Sequence, residues 1–108
     1  MDNVAALARE HLQKAAASEH GRSAHLFLHE GPLRQTVIAL TAGSALDEHN
    51  APVAASIHVL VGSVRITAPR GDIDVPEGAV QAIPQERHGL TALEDAAVLL
   101  TAVTEVAG

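Results

Sequence analysis

The sequence has no cysteine, no tryptophan and no tyrosine, and Phe27 is its single benzenoid side chain. Without thiols there are no disulfides and no thiolate metal centres, and a reducing cytoplasm is the expected compartment. Without aromatic faces, base stacking, aromatic sugar platforms and cation–π cages are largely out of reach. Basic residues are scarce too. Seven Lys and Arg, scattered without a cluster, stand against thirteen Asp and Glu, a formal net charge of −6. A nucleic-acid binder needs a basic face to displace counterions, so no nucleic-acid partner is expected. No apolar run approaches membrane-spanning length, and the opening MDNVAALARE lacks a basic stretch followed by an apolar block. Neither a membrane segment nor a signal peptide is predicted.

What remains is an aliphatic chain of 108 residues, a length that suits one compact domain. Its core must be built from Ala, Val, Ile and Leu. Val4, Ala8, Leu12 and Ala15 recur at helical spacing and predict a helix over 2–19. Asp2 or Asn3 can cap its start, Glu10 and Lys14 form an i,i+4 pair, and Gly21 can stop it. Its apolar stripe is expected to pack on the rest of the chain or on a partner subunit. From Ser23 onward the pattern becomes short β segments, at 24–29, 33–42, 56–61, 63–68, 80–83 and 97–106, punctuated by Gly, Pro, Asn and Asp. Many short strands at regular spacing predict an all-β sandwich or barrel. The expected division is a helix and connection over 1–22 and a β domain over 23–108.

Two histidine-bearing segments stand out. Gly43 and His49 are separated by SALDE, and Gly62 follows the strand at 56–61. Gly78 and Pro84 are separated by AVQAI, and His88 comes shortly after. These segments resemble the two signature motifs of the cupin superfamily, and the resemblance runs from Leu33 to Val103. The run HGLTALEDAAVLLTAV that begins at His88 also resembles the closing strands of small actinobacterial-type cupins. The resemblance implies a small bacterial cupin with an antiparallel β-barrel of the double-stranded β-helix, or jelly-roll, type, carrying one N-terminal helix and forming a homodimer.

The same resemblance implies a barrel mouth at which three histidines and a carboxylate hold a divalent metal such as Zn, Ni, Fe or Mn. His49 takes the place of the first histidine. Ala51 stands at the second, Ala55 at the glutamate, and Glu86 where a turn glycine is usual, while His88 comes one residue early. His49 and His88 are therefore the candidate metal ligands, with His58 as a third. Alternation gives Ala55, Ile57 and Val59 the parity of the missing ligand and turns His58 to the other face, unless a bulge reverses it. An incomplete set predicts no resident cofactor.

Other chemistry is thinner. There is no Gly-x-Ser-x-Gly elbow and no glycine-rich phosphate loop. Asp47–Glu48, Asp72 with Asp74, and Glu94–Asp95 fall in predicted turns and are expected to be solvated. His25 and His29 flank Phe27 on what simple alternation makes one strand face, and His11 and His20 are expected at the surface. The expected function is a non-catalytic or weakly ligand-binding sensor module for a small molecule. The alternative is a metal-dependent enzyme of dioxygenase, isomerase or epimerase type working through His49 and His88, and a third is an interaction subunit docking through its helix.

Overall fold

The computed structural model describes residues 1–104. Helix α1 (Val4–Ala17) is followed by β1 (Arg22–Glu30), β2 (Leu33–Leu40), β3 (Ala45–His49), β4 (Ala54–Val61), β5 (Val64–Thr67), β6 (Ile73–Val75), β7 (Val80–Ala82), β8 (His88–Ala92) and β9 (Ala96–Val103). Asn3 caps the helix, its Oδ1 accepting the Ala6 N–H at 2.9 Å. Glu10 and Lys14 pair at 3.3 Å. The helix ends at Ser18, ahead of Gly21, whose N–H donates to the Ser18 carbonyl at 3.2 Å.

The six expected strands are present, with ends displaced by up to two residues. The predicted end of the last one, Glu105 and Val106, lies outside the described residues. Three strands escaped sequence reading: β3, β6 and β8. Asp47 and Glu48 belong to β3 and Asp74 to β6, not to turns. Short strands with one solvated face carry charge at positions that composition assigns to loops.

All pairings are antiparallel and form two sheets, one ordered β1-β2-β9-β4-β7 and the other β3-β8-β5-β6. Their inner faces meet in a single aliphatic core. Ile38 and Leu40 of β2, Ile57 and Val59 of β4 and Val98 of β9 come from the larger sheet, and Val64, Ile66, Val75 and Leu90 from the smaller. Each such side chain contributes about 1.5–3 kcal/mol on burial.

The outer face of the larger sheet carries α1. Ala39 of β2 and Ala97 of β9 are cross-strand partners, both fully buried, and Ala8 and Ala15 pack over them with Leu12, Leu60 and Val61 alongside. Small side chains let the helix lie close but give it little apolar adhesion, about 0.8 kcal/mol per buried methyl group. The helical stripe is thus used within the chain. The β2 run Val37–Leu40 is buried on both faces, which is why it reads as a continuous apolar block.

Candidate functional site

The structure brings His49 and His88 together. They are register partners across β3 and β8, with ring centroids 4.5 Å apart and planes inclined by 60°. His88 is 5 % exposed, whereas His49 lies at the surface. The two rings are oriented alike. His49 Nδ1 lies 3.1 Å from the Asp47 carbonyl oxygen and His88 Nδ1 lies 3.0 Å from that of Glu86, each two residues upstream of its own ring. A carbonyl oxygen only accepts, so Nδ1 carries the hydrogen in both rings. Each neutral imidazole therefore keeps its lone pair on Nε2.

Alternation alone does not produce this pair. Leu46 and His49 are an odd number of residues apart and would face opposite ways on a regular strand. Between them the β3–β8 register shifts, Asp47 and Glu48 standing opposite the single residue Gly89. This bulge returns His49 to the side of Leu46. Gly89 makes room for it. A methyl group there would lie 2.8 Å from Thr67 Oγ1, 3.1 Å from the Leu46 carbonyl oxygen and 3.5 Å from Glu48 Cγ. Arg87 closes the same junction, donating from its guanidinium to the Glu48 carbonyl at 3.1 Å and pairing with the Glu48 carboxylate at 3.6 Å.

Beneath the imidazoles lies an aliphatic pocket lined by Ile38, Leu46, Ile57, Ile83, Leu90 and Leu100, with His49 and His88 also on its wall. Its volume is about 30 Å³, enough to hold a water molecule. The sequence motifs mark the histidines, but nothing in them marks Leu46, Ile83 or Leu90 as pocket residues.

His58 does not join the pair. It stands opposite Leu99 and Val80, on the outer face of the larger sheet, while its neighbours Ile57 and Val59 enter the core. Among the described residues no group of three or more His, Asp or Glu side chains converges as a metal would require. His49 and His88 supply two Nε2 donors with no third His, Asp or Glu beside them among the described residues, and these two alone do not make a closed metal shell.

Of the remaining histidines, His11, His25 and His29 depart from expectation. A register shift between Leu26 and Leu28 leaves Phe27 unpaired, so His25 faces the Val37 row and His29 the Arg34 row, on opposite sides of β1. They cannot chelate together. His11 is not a surface residue: it is 6 % exposed, under the helix. His20 is exposed. Several turn carboxylates are exposed yet bonded, Asp95 Oδ1 accepting the Ala42 N–H at 2.8 Å and Glu94 the Ser63 hydroxyl at 3.2 Å. Asp74 binds Arg65 with both oxygens, at 2.7 and 3.1 Å. That bond holds the Asp74 carboxyl below its ordinary range, and raises Arg65 in turn.

No protein-family model and no curated protein matches the chain. Solved structures do. A conserved protein of unknown function from Streptococcus pyogenes superposes with a TM-score of 0.74 at 26 % identity, over 83 % of this chain and 80 % of that one. An RmlC-like cupin from Desulfovibrio desulfuricans gives 0.68 at 26 % identity, over 76 % and 81 %. The salicylate 1,2-dioxygenase of Pseudaminobacter salicylatoxidans shares the fold with a TM-score of 0.77 at 12 % identity, over 91 % of this chain but 33 % of the enzyme. With two facing antiparallel sheets and one N-terminal helix, the architecture is the cupin jelly roll. The chain is a cupin-superfamily β-domain related to the RmlC-like structures, and it shares its fold with a cupin-2 domain. Its relatives by fold include an enzyme and a protein of unknown function, and a shared fold does not choose between activities.

Proposed function

We propose that this cupin domain is a non-catalytic binding module that senses or carries a small molecule, with His49 and His88 as the polar anchor of its site. The observation that carries this reading is the matched pair of imidazoles, each with Nδ1 engaged and Nε2 left over, set over an aliphatic pocket and with no third His, Asp or Glu converging on them among the described residues. Two neutral Nε2 atoms accept hydrogen bonds from a hydroxyl or an ammonium group. They hold a divalent ion weakly, because most of its shell is left to water. A pocket of about 30 Å³ takes in only a small apolar part of a ligand. The absence of cysteine fits a reducing compartment, and we place the module in the cytoplasm. Among the described residues no helix is long and apolar enough to cross a membrane.

Elemental analysis and calorimetric titration of tag-free protein test this reading. The expected result is no stoichiometric metal after purification, and weak uptake of added Zn or Ni that disappears on acidification as protons compete for the imidazoles. Near-stoichiometric metal that vanishes in both His49→Ala and His88→Ala would overturn it in favour of a metal-dependent enzyme. Fragment binding read from the His49 and His88 ring C–H signals identifies the ligand class.

The edge of the larger sheet supports a homodimer. Among the described residues strand β1 has no partner on its outer side, and Leu26 in it is 48 % exposed. An open edge is protected by pairing. Sedimentation at micromolar concentration is expected to give a dimer, and a monomer would reject it.

A further inference from the structure

A second buried histidine lies away from the barrel mouth. His11, on the inner side of α1, is 6 % exposed. Its Nδ1 is 2.7 Å from Ser23 Oγ at the start of β1. Its ring stacks on His25 of the same strand, with centroids 5.7 Å apart and planes within 7° of parallel. Helix and sheet otherwise meet through aliphatic side chains, Ala8 and Ala15 against Ala39 and Ala97, with Leu12, Leu60 and Val61 alongside.

The charged groups around His11 favour its neutral form. On the helix, Lys14 adds positive charge, and Glu10, the nearby carboxylate, is solvent-exposed and already paired with Lys14. On β1 the facing titratable group is His25, with Glu30 at the far end of the strand. The residues of β2, β9 and β4 beneath the helix, Ala39, Ala97, Leu60 and Val61, carry no charge. His58 of β4 lies on the same sheet face.

We propose that His11, packed on His25 and bonded to Ser23, is a proton-operated latch that fastens α1 to the outer face of the larger sheet when neutral and releases it when protonated. The Ser23 hydroxyl donates to a bare Nδ1 or accepts from a protonated one, so the hydrogen bond itself does not discriminate. Burial does, because a charged imidazole loses water that the aliphatic interface cannot replace. Burial first, and Lys14 next, lower the His11 pKa from its ordinary 6.5, with His25 adding a little and Glu10 opposing. A lowered pKa in the docked state means that docking is fully favoured above 6.5. It is lost as pH falls from there through the docked-state value, because the undocked ring takes up its proton first.

Hydrogen exchange of the α1 amides, corrected for intrinsic rates, tests the latch. Between pH 7.5 and pH 5.0 the protection of α1 is expected to fall by about fivefold or more, while β2 and β9 hold theirs. His11→Gln keeps a side-chain bond to Ser23 and does not titrate, so its α1 protection is expected to stay flat, whereas His49→Ala retains the full response. In the unaltered protein the His11 ring C–H signal is expected to titrate with a midpoint below 6.5, a measurement independent of any variant's folding. A midpoint at or above 6.5, unchanged α1 protection at pH 5.0, or an equal loss in His11→Gln would each overturn the proposal.

Discussion

His49 and His88 face each other across β3 and β8 with their rings 4.5 Å apart, each anchored through Nδ1 to a carbonyl of its own backbone. The anchors are local in sequence, whereas the pairing is not, since thirty-eight residues lie between the two histidines. Local bonds set each ring's tautomer, and the barrel sets their distance. The mouth therefore presents a pair of lone pairs on Nε2, held on strands and not on loops.

The tautomers are directly measurable. At neutral pH, nitrogen-15 NMR of the side chains is expected to show a protonated Nδ1 and a bare Nε2 for both His49 and His88. An Nε2–H tautomer in either ring would show that its carbonyl anchor is absent in solution.

Gly89 is expected to control the pair without touching a ligand. In Gly89→Ala the added methyl presses on Thr67 Oγ1, which can rotate, and on the Leu46 carbonyl, which belongs to the β3 ladder. The bulge should shift, costing about 1–3 kcal/mol of stability and moving the His49 ring signals more than those of His11. A variant with unaltered His49 shifts would mean that the bulge does not depend on this glycine.

Two glycines of the first motif differ in what they do. Gly43 and Gly62 both have positive φ, +83° and +77°, but a methyl at Gly43 meets open space whereas one at Gly62 strikes the Asp95 carbonyl. Gly43→Ala is expected to cost about 1 kcal/mol of backbone strain. Gly62→Ala adds a backbone clash and should cost about 3 kcal/mol or more. Thermal unfolding of the two variants checks the order, and equal midpoints would contradict it.

The Arg65–Asp74 pair makes a prediction with a defined sign. Because its partner lowers the Asp74 pKa from 3.8, the pair's contribution is present above 3.8 and is lost as pH falls through the lower folded-state value. The effect on stability is small, since both groups are exposed. Carbon-13 titration of the Asp74 carboxyl is expected to give a midpoint below 3.8 that rises in Arg65→Ala. A midpoint indifferent to that substitution would show that the ion pair does not persist in solution.

Much of the fold was legible from the chain. The helix from Val4, its Asn3 cap and its Glu10–Lys14 pair follow from spacing, and long β-branched runs such as Leu33–Leu40 declare themselves by composition. Strands β3, β6 and β8 did not, because runs of three to five residues with charges on one face give alternation too few positions to register. His49 and His88 were found through their motif positions, but nothing in the local sequence announced the bulge that aims His49 inward.

The sequence by itself determined the materials: an aliphatic core without thiols or aromatic platforms, a capped amphipathic helix, and a motif in which alanines replace a histidine and a carboxylate. Those are matters of residue identity and short-range spacing, and no folding can restore a missing side chain. Tertiary structure alone decided facing and burial. One extra residue in β3 turned His49 toward His88, one unpaired residue in β1 sent His25 and His29 to opposite faces, and the docking of α1 made a buried residue of His11. Strand side chains alternate with a period of two, so a single unpaired residue inverts every side chain beyond it. That inversion is set by the partner strand, and the partner lies far away in the chain.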